Sequence, residues 1–357
     1  MAFEAHFSTG EFWFDRKNAL ILGESGLFVQ GCDVTPAFPV LEMLQVENPT
    51  THVVYRRGRD WDLADGRLIR LPHSAIPELA DADLYPATEN ARIFPAQDAN
   101  AVTGGPEGRL LRFDNRDFFA RQQITFSYRT TAGAIPELPE LPPELLARFR
   151  ARLRRGEPVK ITALGDSITQ GFNATAFVGV DPGQPCYAEL FASFLGQYFH
   201  SDVQLTNLAV EGTCIDDAIR RRESWQDNDS DLYLIAYGMN DFTCRTPEKF
   251  IAFAEELVGL IPDREVLFVS SISANPEWNC IHPGKDEEFA SGLRQWCRRG
   301  KIALADVNSL WHRVLGHRAY LNMTGNGVNH PNDFGHRLYA SVLSHLFLGK
   351  EARRETC

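Results

Sequence analysis

At 357 residues the chain exceeds one typical domain and suits two. Its 44% apolar and 23% charged residues supply the material for a sizeable core. A formal net charge of −11 at pH 7 argues against nucleic acid or an anionic membrane surface as a partner and fits a neutral or cationic small ligand. The opening Met1-Ala2-Phe3-Glu4-Ala5-His6 lacks a basic n-region and an apolar h-region, and no run of about 18 apolar residues occurs. The expectation is a cytoplasmic protein without a leader or a membrane span. The seven cysteines, Cys32, Cys186, Cys214, Cys244, Cys280, Cys297 and Cys357, are odd in number and scattered, with no Cys-x-x-Cys pair. That pattern points to reduced thiols, with room for one disulfide. No His-Glu-x-x-His occurs either, so neither a metal nor a cofactor is expected. Nothing in the chain excludes a homo-oligomer.

In chain order, residues 19–22, 51–55, 67–71 and 123–128 read as short strands. Turn signals such as Ala64-Asp65-Gly66 and Thr103-Gly104-Gly105-Pro106 lie between them. Close spacing of short strands without a long amphipathic helix predicts an all-β, jelly-roll-like antiparallel sandwich over residues 1–134. Trp13 and Trp61 read first as core or seam residues and only then as polysaccharide contacts. Residues 135–157 form a stiff proline-rich linker, Ile135 to Pro143, and a helix over 144–155 that starts after Pro143 and ends before Gly156. Over 158–350 the pattern alternates. Strands are expected at 159–164, 203–208, 232–237, 265–270 and 302–306, and helices at 187–199, 213–222, 247–260, 286–299 and 333–348. Repeating β-α units of this length predict an α/β domain with a parallel sheet covered on both faces.

Ligands of an open parallel sheet bind beyond the carboxyl ends of its strands. The polar motifs gather there. The first strand runs into Gly165-Asp166-Ser167-Ile168-Thr169, a turn able to lift a serine hydroxyl out of the sheet. Alone this is weak, because Asp and Ser are also favoured helix caps. The second strand leads to Val210-Glu211-Gly212, the third to Gly238-Met239-Asn240-Asp241, and the fourth to Asn275-Pro276-Glu277-Trp278-Asn279. After the fifth comes Asn329-His330-Pro331-Asn332-Asp333.

This constellation resembles the SGNH, or GDSL-type, hydrolase superfamily over roughly residues 158–348. Ser167 fits its nucleophile, Gly212 its glycine, Asn240 its asparagine and His330 its base. The resemblance implies a flavodoxin-like three-layer domain and serine ester hydrolysis. Ser167 would attack an ester carbonyl as His330 takes its proton. The backbone N–H groups of Ser167 and Gly212 and the amide of Asn240 would receive the oxyanion. One position departs from the pattern: the family places an aspartate three residues before the histidine, and here that residue is Gly327, preceded by Asn326. Several arrangements stay open. The imidazole is held by a backbone carbonyl or by Asn326, or an acid such as Asp333 or Asp306 serves from elsewhere. The reading favours a dyad, or a triad whose third member is not an aspartate. Two-domain carbohydrate acetyl esterases, some of which lack the acid and carry a β-sandwich ahead of the catalytic domain, are the subgroup it resembles. The implied activity is removal of small acyl groups, acetyl foremost, from a carbohydrate or glycoside. The alternatives are a broader carboxylesterase, lipase or thioesterase, an acyltransferase using the same site, and a non-catalytic binding protein on a decayed scaffold.

Other residues admit plainer readings. Asp166 is first a turn-holding cap and second a substrate contact. Asp241 fixes its loop, and His336 lies along the last helix. Thr169 and Asn173, just after the nucleophile, read first as settling the local backbone and second as lining the pocket. Trp278 divides evenly between stacking on a sugar ring and covering the core edge, while Trp225 reads as core.

Overall fold

The computed structural model describes residues 14–15, 19–134, 138 and 140–348. Met1 to His6, Trp13, residues 135–137 and 139 of the proline-rich linker, residues 349–350 and Cys357 lie outside the described residues. In the front of the chain the described strands pair antiparallel, with isolated parallel bridges such as Val29 to Leu79. Its strands are β1 (Phe14–Asp15), β2 (Leu20–Gly26), β3 (Glu42–Asn48), β4 (Val53–Val54), β5 (Trp61–Ala64), β6 (Arg67–Arg70), β7 (Ala101–Val102), β8 (Leu111–Arg112) and β9 (Ile124–Arg129). Five of them form a sheet in the order β1-β2-β9-β3-β4; β5-β6 and β7-β8 are hairpins. Sequence dictates the details. In β9, Ile124, Phe126 and Tyr128 are buried and alternate with less buried Thr125, Ser127 and Arg129, the period of a one-sided strand. The β5-β6 turn puts Asp65 (φ +52°) and Gly66 (φ +74°) in the left-handed region, the mirror-image turn that matches strand twist.

The second half is a five-stranded parallel sheet of β10 (Val159–Gly165), β11 (Val203–Asn207), β12 (Leu232–Ala236), β13 (Glu265–Val269) and β14 (Ala303–Ala305). Their order, β11-β10-β12-β13-β14, is the 2-1-3-4-5 arrangement of flavodoxin-like sheets. Every residue of β12 is buried, as a strand covered on both faces requires. The helices Tyr187–Phe199 and Asp333–His345 pack on each other, and Pro247–Gly259 packs on Ile215–Arg220 and Lys285–Gly300. The helix expected over 144–155 begins only at Ala147, because Leu146 adopts φ +53°. A helix not foreseen, Val307–Leu315, starts where Asp306 accepts a hydrogen bond from the Ser309 N–H.

The two halves share one connected core that runs from Ile21, Phe126 and Tyr128 to Leu234, Trp311 and Leu343. Polar groups reinforce the seam. A register shift between Ile21 and Glu24 interrupts the β2-β9 ladder, with Gly23 at φ +56°. The Arg337 guanidinium donates to the carbonyls of Leu22, at 2.8 Å, and Gly23. Beside this irregularity Glu24 and Arg318, both fully buried, form an ion pair with Nη1 and Oε1 2.8 Å apart. Glu24 also accepts from the Tyr128 hydroxyl at 2.7 Å and the Ala37 N–H at 2.8 Å. Removing one member of such a pair strands a charge in the interior. Glu24→Ala is therefore expected to lower unfolding free energy by about 3–5 kcal/mol, read as the shift of a urea denaturation midpoint.

Candidate active site

Strand β10 ends at Gly165, where nothing larger fits: a Cβ there would lie 2.3 Å from Thr169 Oγ1 and 2.7 Å from the Ala236 carbonyl. Asp166 follows as the cap of the short helix Ser167–Gln170, its Oδ1 accepting from the Ile168 N–H at 3.0 Å. Burial, with a smaller contribution from Asp241, raises its carboxyl to about 7. Asp166 is 2% exposed. The turn delivers Ser167 to His330, with Oγ and Nε2 2.8 Å apart.

The other imidazole nitrogen, Nδ1, lies 2.9 Å from Oδ1 of Asn173. The amide's orientation follows from its surroundings. Asn173 Nδ2 faces the carbonyl oxygens of Asp114 and Gly325, each at 3.1 Å. Carbonyls only accept, so the NH₂ end must point to them and Oδ1 must point to His330. Nδ1 therefore carries the proton, and Nε2 presents a lone pair to the Ser167 hydroxyl. Burial, helped by His336, pulls the His330 pKa down to about 3, so the ring stays neutral.

The loop carrying His330 is wired by Asn326. Its Oδ1 accepts from the backbone N–H groups of Val328, Asn329 and His330 at 2.9, 2.9 and 3.0 Å. Asn326 thus holds the backbone of His330 rather than its ring. The candidate acids are engaged elsewhere. Asp333 accepts from the N–H and hydroxyl of Thr175 at 2.9 and 2.7 Å, and Asp306 pairs with Arg294 at 2.7 Å. Gly327 has φ +86°, and a Cβ there would sit 2.6 Å from the Arg112 carbonyl and from the Phe119 ring. No side chain fits where the family pattern has its aspartate.

Gly212 and Asn240 occupy the neighbouring loops. Gly212 requires its glycine for φ +70°, and the space where a Cβ would point is open. The preceding Glu211 N–H donates to Gln170 Oε1 at 2.8 Å, which ties this loop to the nucleophile's helix. Asn240 spends one amide hydrogen on the Thr213 carbonyl at 3.0 Å and keeps a second. Asp241 accepts from the Ile215 N–H at 3.3 Å and so fixes its loop, as expected; burial raises its carboxyl to about 7.

The remaining candidates fall outside this cluster. Trp278 packs against the cluster that includes Val102, Leu111 and Val328 and donates its indole N–H to the Thr103 carbonyl at 3.1 Å, on the seam with the β7-β8 hairpin. Trp225 is buried and donates to the Ala218 carbonyl, and Trp61 is buried in the front core. His336 lies inside the last helix, 3.3 Å from the Phe172 carbonyl. The six described cysteines are unpaired, with Cys214 and Cys244 sulfurs 3.5 Å apart. The acids clustered beside Cys214 are engaged: Asp216 by Arg220 and Arg245, Asp217 by Arg220 and the Cys214 N–H. Sequence reasoning set Asn173 aside and did not single out Gln170 or Asn275 individually. Asn275, in the loop after β13, secures the His330 loop, its side-chain amide donating to the Gly327 carbonyl and its backbone N–H to the Val328 carbonyl, each at 2.7 Å. Asn326→Ala orphans three N–H groups, two of them buried, and is expected to cost about 2–4 kcal/mol in chemical denaturation.

Residues 163–338, just under half of the chain, match the model of the GDSL-like lipase/acylhydrolase family. No curated protein matches the sequence. Among solved structures the chain is similar to an α/β hydrolase from the metagenome of Lake Arreo, Spain, at 20% identity and TM-score 0.43 over 53% of this chain and 96% of that one. It is also similar to a two-domain esterase active on acetylated mannans (22%, TM-score 0.46, 58% and 53%). An acetylxylan esterase from Geobacillus stearothermophilus is a third (16%, TM-score 0.46, 55% and 97%). Ser167, Gly212, Asn240 and His330 all lie within the segment that matches the GDSL-like lipase/acylhydrolase model.

Proposed function

We propose that this protein is a serine esterase that removes small acyl groups, acetyl foremost, from a carbohydrate or glycoside. The observation that carries the reading is the 2.8 Å contact between Ser167 Oγ and the lone-pair nitrogen of a neutral His330. In the proposed reaction Ser167 Oγ attacks the ester carbonyl while its proton passes to His330 Nε2. The carbonyl oxygen becomes negative and is met by the backbone N–H groups of Ser167 and Gly212 and by the second amide hydrogen of Asn240. Collapse expels the alcohol, which takes the proton from Nε2 and leaves an acyl-serine. Water, deprotonated by the same nitrogen, then releases the acid and restores the serine.

The enclosure of the pair supports a short acyl group. Ser167 and His330 are each only 5% exposed, and the Phe172 ring stands edge-on to the imidazole with centroids 5.3 Å apart. The same atoms would serve a longer-chain carboxylesterase or an acyltransferase, but a crowded nucleophile favours acetate. The sugar alcohol rests on the resemblance of a β-rich front and a GDSL-type sheet to carbohydrate acetyl esterases.

With p-nitrophenyl esters of rising chain length, hydrolysis is expected to peak at acetate and to fall about 10⁴-fold or more in Ser167→Ala. A maximum at octanoate would overturn the acyl assignment, and a fully active Ser167→Ala would overturn the mechanism. Activity needs the free imidazole and is lost as pH falls through the pKa of His330. With that pKa near 3, kcat/KM should stay level between about pH 5 and 7. A decline centred near 6.5 would contradict the buried, neutral ring.

A further inference from the structure

We propose that Asn173 is the third member of the relay, an uncharged positioning residue for His330, and that segment Asp114–Arg116 of the front sheet's connections is built into the machinery by holding it. The inference rests on the serine esterase reading and deepens it.

Four observations converge. The Asn173 amide is the group facing Nδ1, at 2.9 Å, and its flip is dictated by the Asp114 and Gly325 carbonyls. Its backbone sits at φ +64°, a left-handed conformation that asparagine tolerates better than most residues and that persists where surroundings demand it. Gly325 leaves space for it: a Cβ at 325 would lie 2.5 Å from the Asn173 Cβ. The front segment also braces the other side of the relay. The Asp114 N–H donates to the Asn326 carbonyl at 3.2 Å, and Asn326 Nδ2 lies 3.4 Å from Asn115 Oδ1. One stretch of three residues therefore orients both the partner of His330 and the loop that carries it.

A neutral acceptor suits this site. An aspartate at 173 would direct a carboxylate oxygen at the two carbonyls that the amide now satisfies, with mutual repulsion and no hydrogen to share. The amide fixes the tautomer without adding a charge to a fully enclosed centre. It forgoes the extra stabilisation that a carboxylate gives an imidazolium. The titratable groups around His330 are few. His336 faces it from the last helix, Asp333 is engaged by Thr175, and Asp114 and Arg116 stand behind Asn173.

The test is a set of full-length variants assayed on p-nitrophenyl acetate, with folding followed by thermal denaturation. Asn173→Ala is expected to lower kcat by about 10²- to 10⁴-fold with KM within about threefold, because the ring loses its fixed tautomer. Its low-field imidazole Nδ1–H proton resonance should vanish. Asn173→Asp places a carboxylate against Nδ1–H and should move the acid limb of kcat/KM upward by about one pH unit or more. A merely structural asparagine would move neither the resonance nor the limb. Folded Asn173→Ala with kcat within threefold of the parent overturns the proposal, as does a folded, active Asn173→Asp with an unshifted limb. If Asn173→Asp does not fold, the kcat and the resonance of Asn173→Ala decide. Retained hydrolysis in Ser167→Ala would instead strike the esterase reading itself, so the two failures are separable.

Discussion

A buried imidazole that carries no charge is the constraint on which the rest of this molecule depends. A neutral ring has one nitrogen that donates and one that accepts, and only one assignment lets it receive a proton from Ser167. At His330 the assignment is made two steps away, by the backbone carbonyls of Asp114 and Gly325 acting through the Asn173 amide. Each step is an ordinary hydrogen bond worth about 1 kcal/mol in stability. Their effect on the reaction is larger, because they select which nitrogen faces the nucleophile. The wiring of Asn326 and Asn275 has the same logic: neutral amides, bonded to the backbone of the histidine loop, hold it without importing charge.

That requirement explains why the front sheet is more than an appendage. Its buried polar groups converge on the stretch that carries the histidine. Gln123 donates to the carbonyls of Thr324 and Leu321, and Asn332 Nδ2 reaches both Ser25 Oγ and Gln123 Oε1. The Arg318 and Arg337 guanidiniums anchor in β2, against Glu24 and the irregular Leu22–Gly23 carbonyls. Buried charges of this kind are expensive to leave unpaired, so the seam between the sheets resists opening. An imidazole loop clamped from that side inherits the rigidity.

How much of this could be read from the chain depended on range. Helix Tyr187–Phe199 and the wholly apolar β12 were legible because their patterns are local. Strand β3, Glu42–Asn48, was not: most of its residues are polar, and its place is set by pairing with β9 some eighty residues later. The Val307–Leu315 helix was hidden because Asp306, read as the tail of a strand, is its cap. In the site, Ser167, Gly212, Asn240 and His330 could be picked out from their positions at strand ends and from a family resemblance. Asn173 could not. Its place at the relay is defined by Asp114, Gly325 and His330, which lie up to 157 positions away and carry no spacing rule. Trp278 shows the converse, since an aromatic at a strand's carboxyl end is turned to the seam by Thr103, a partner that only the fold supplies.

Gly327 makes the arrangement hard to undo. With a backbone carbonyl and an aromatic ring both 2.6 Å from where its first side-chain carbon would go, placing an acid there demands simultaneous retreat of Arg112 and Phe119. The packing of this front segment against the histidine loop therefore decides which kind of relay the loop can host.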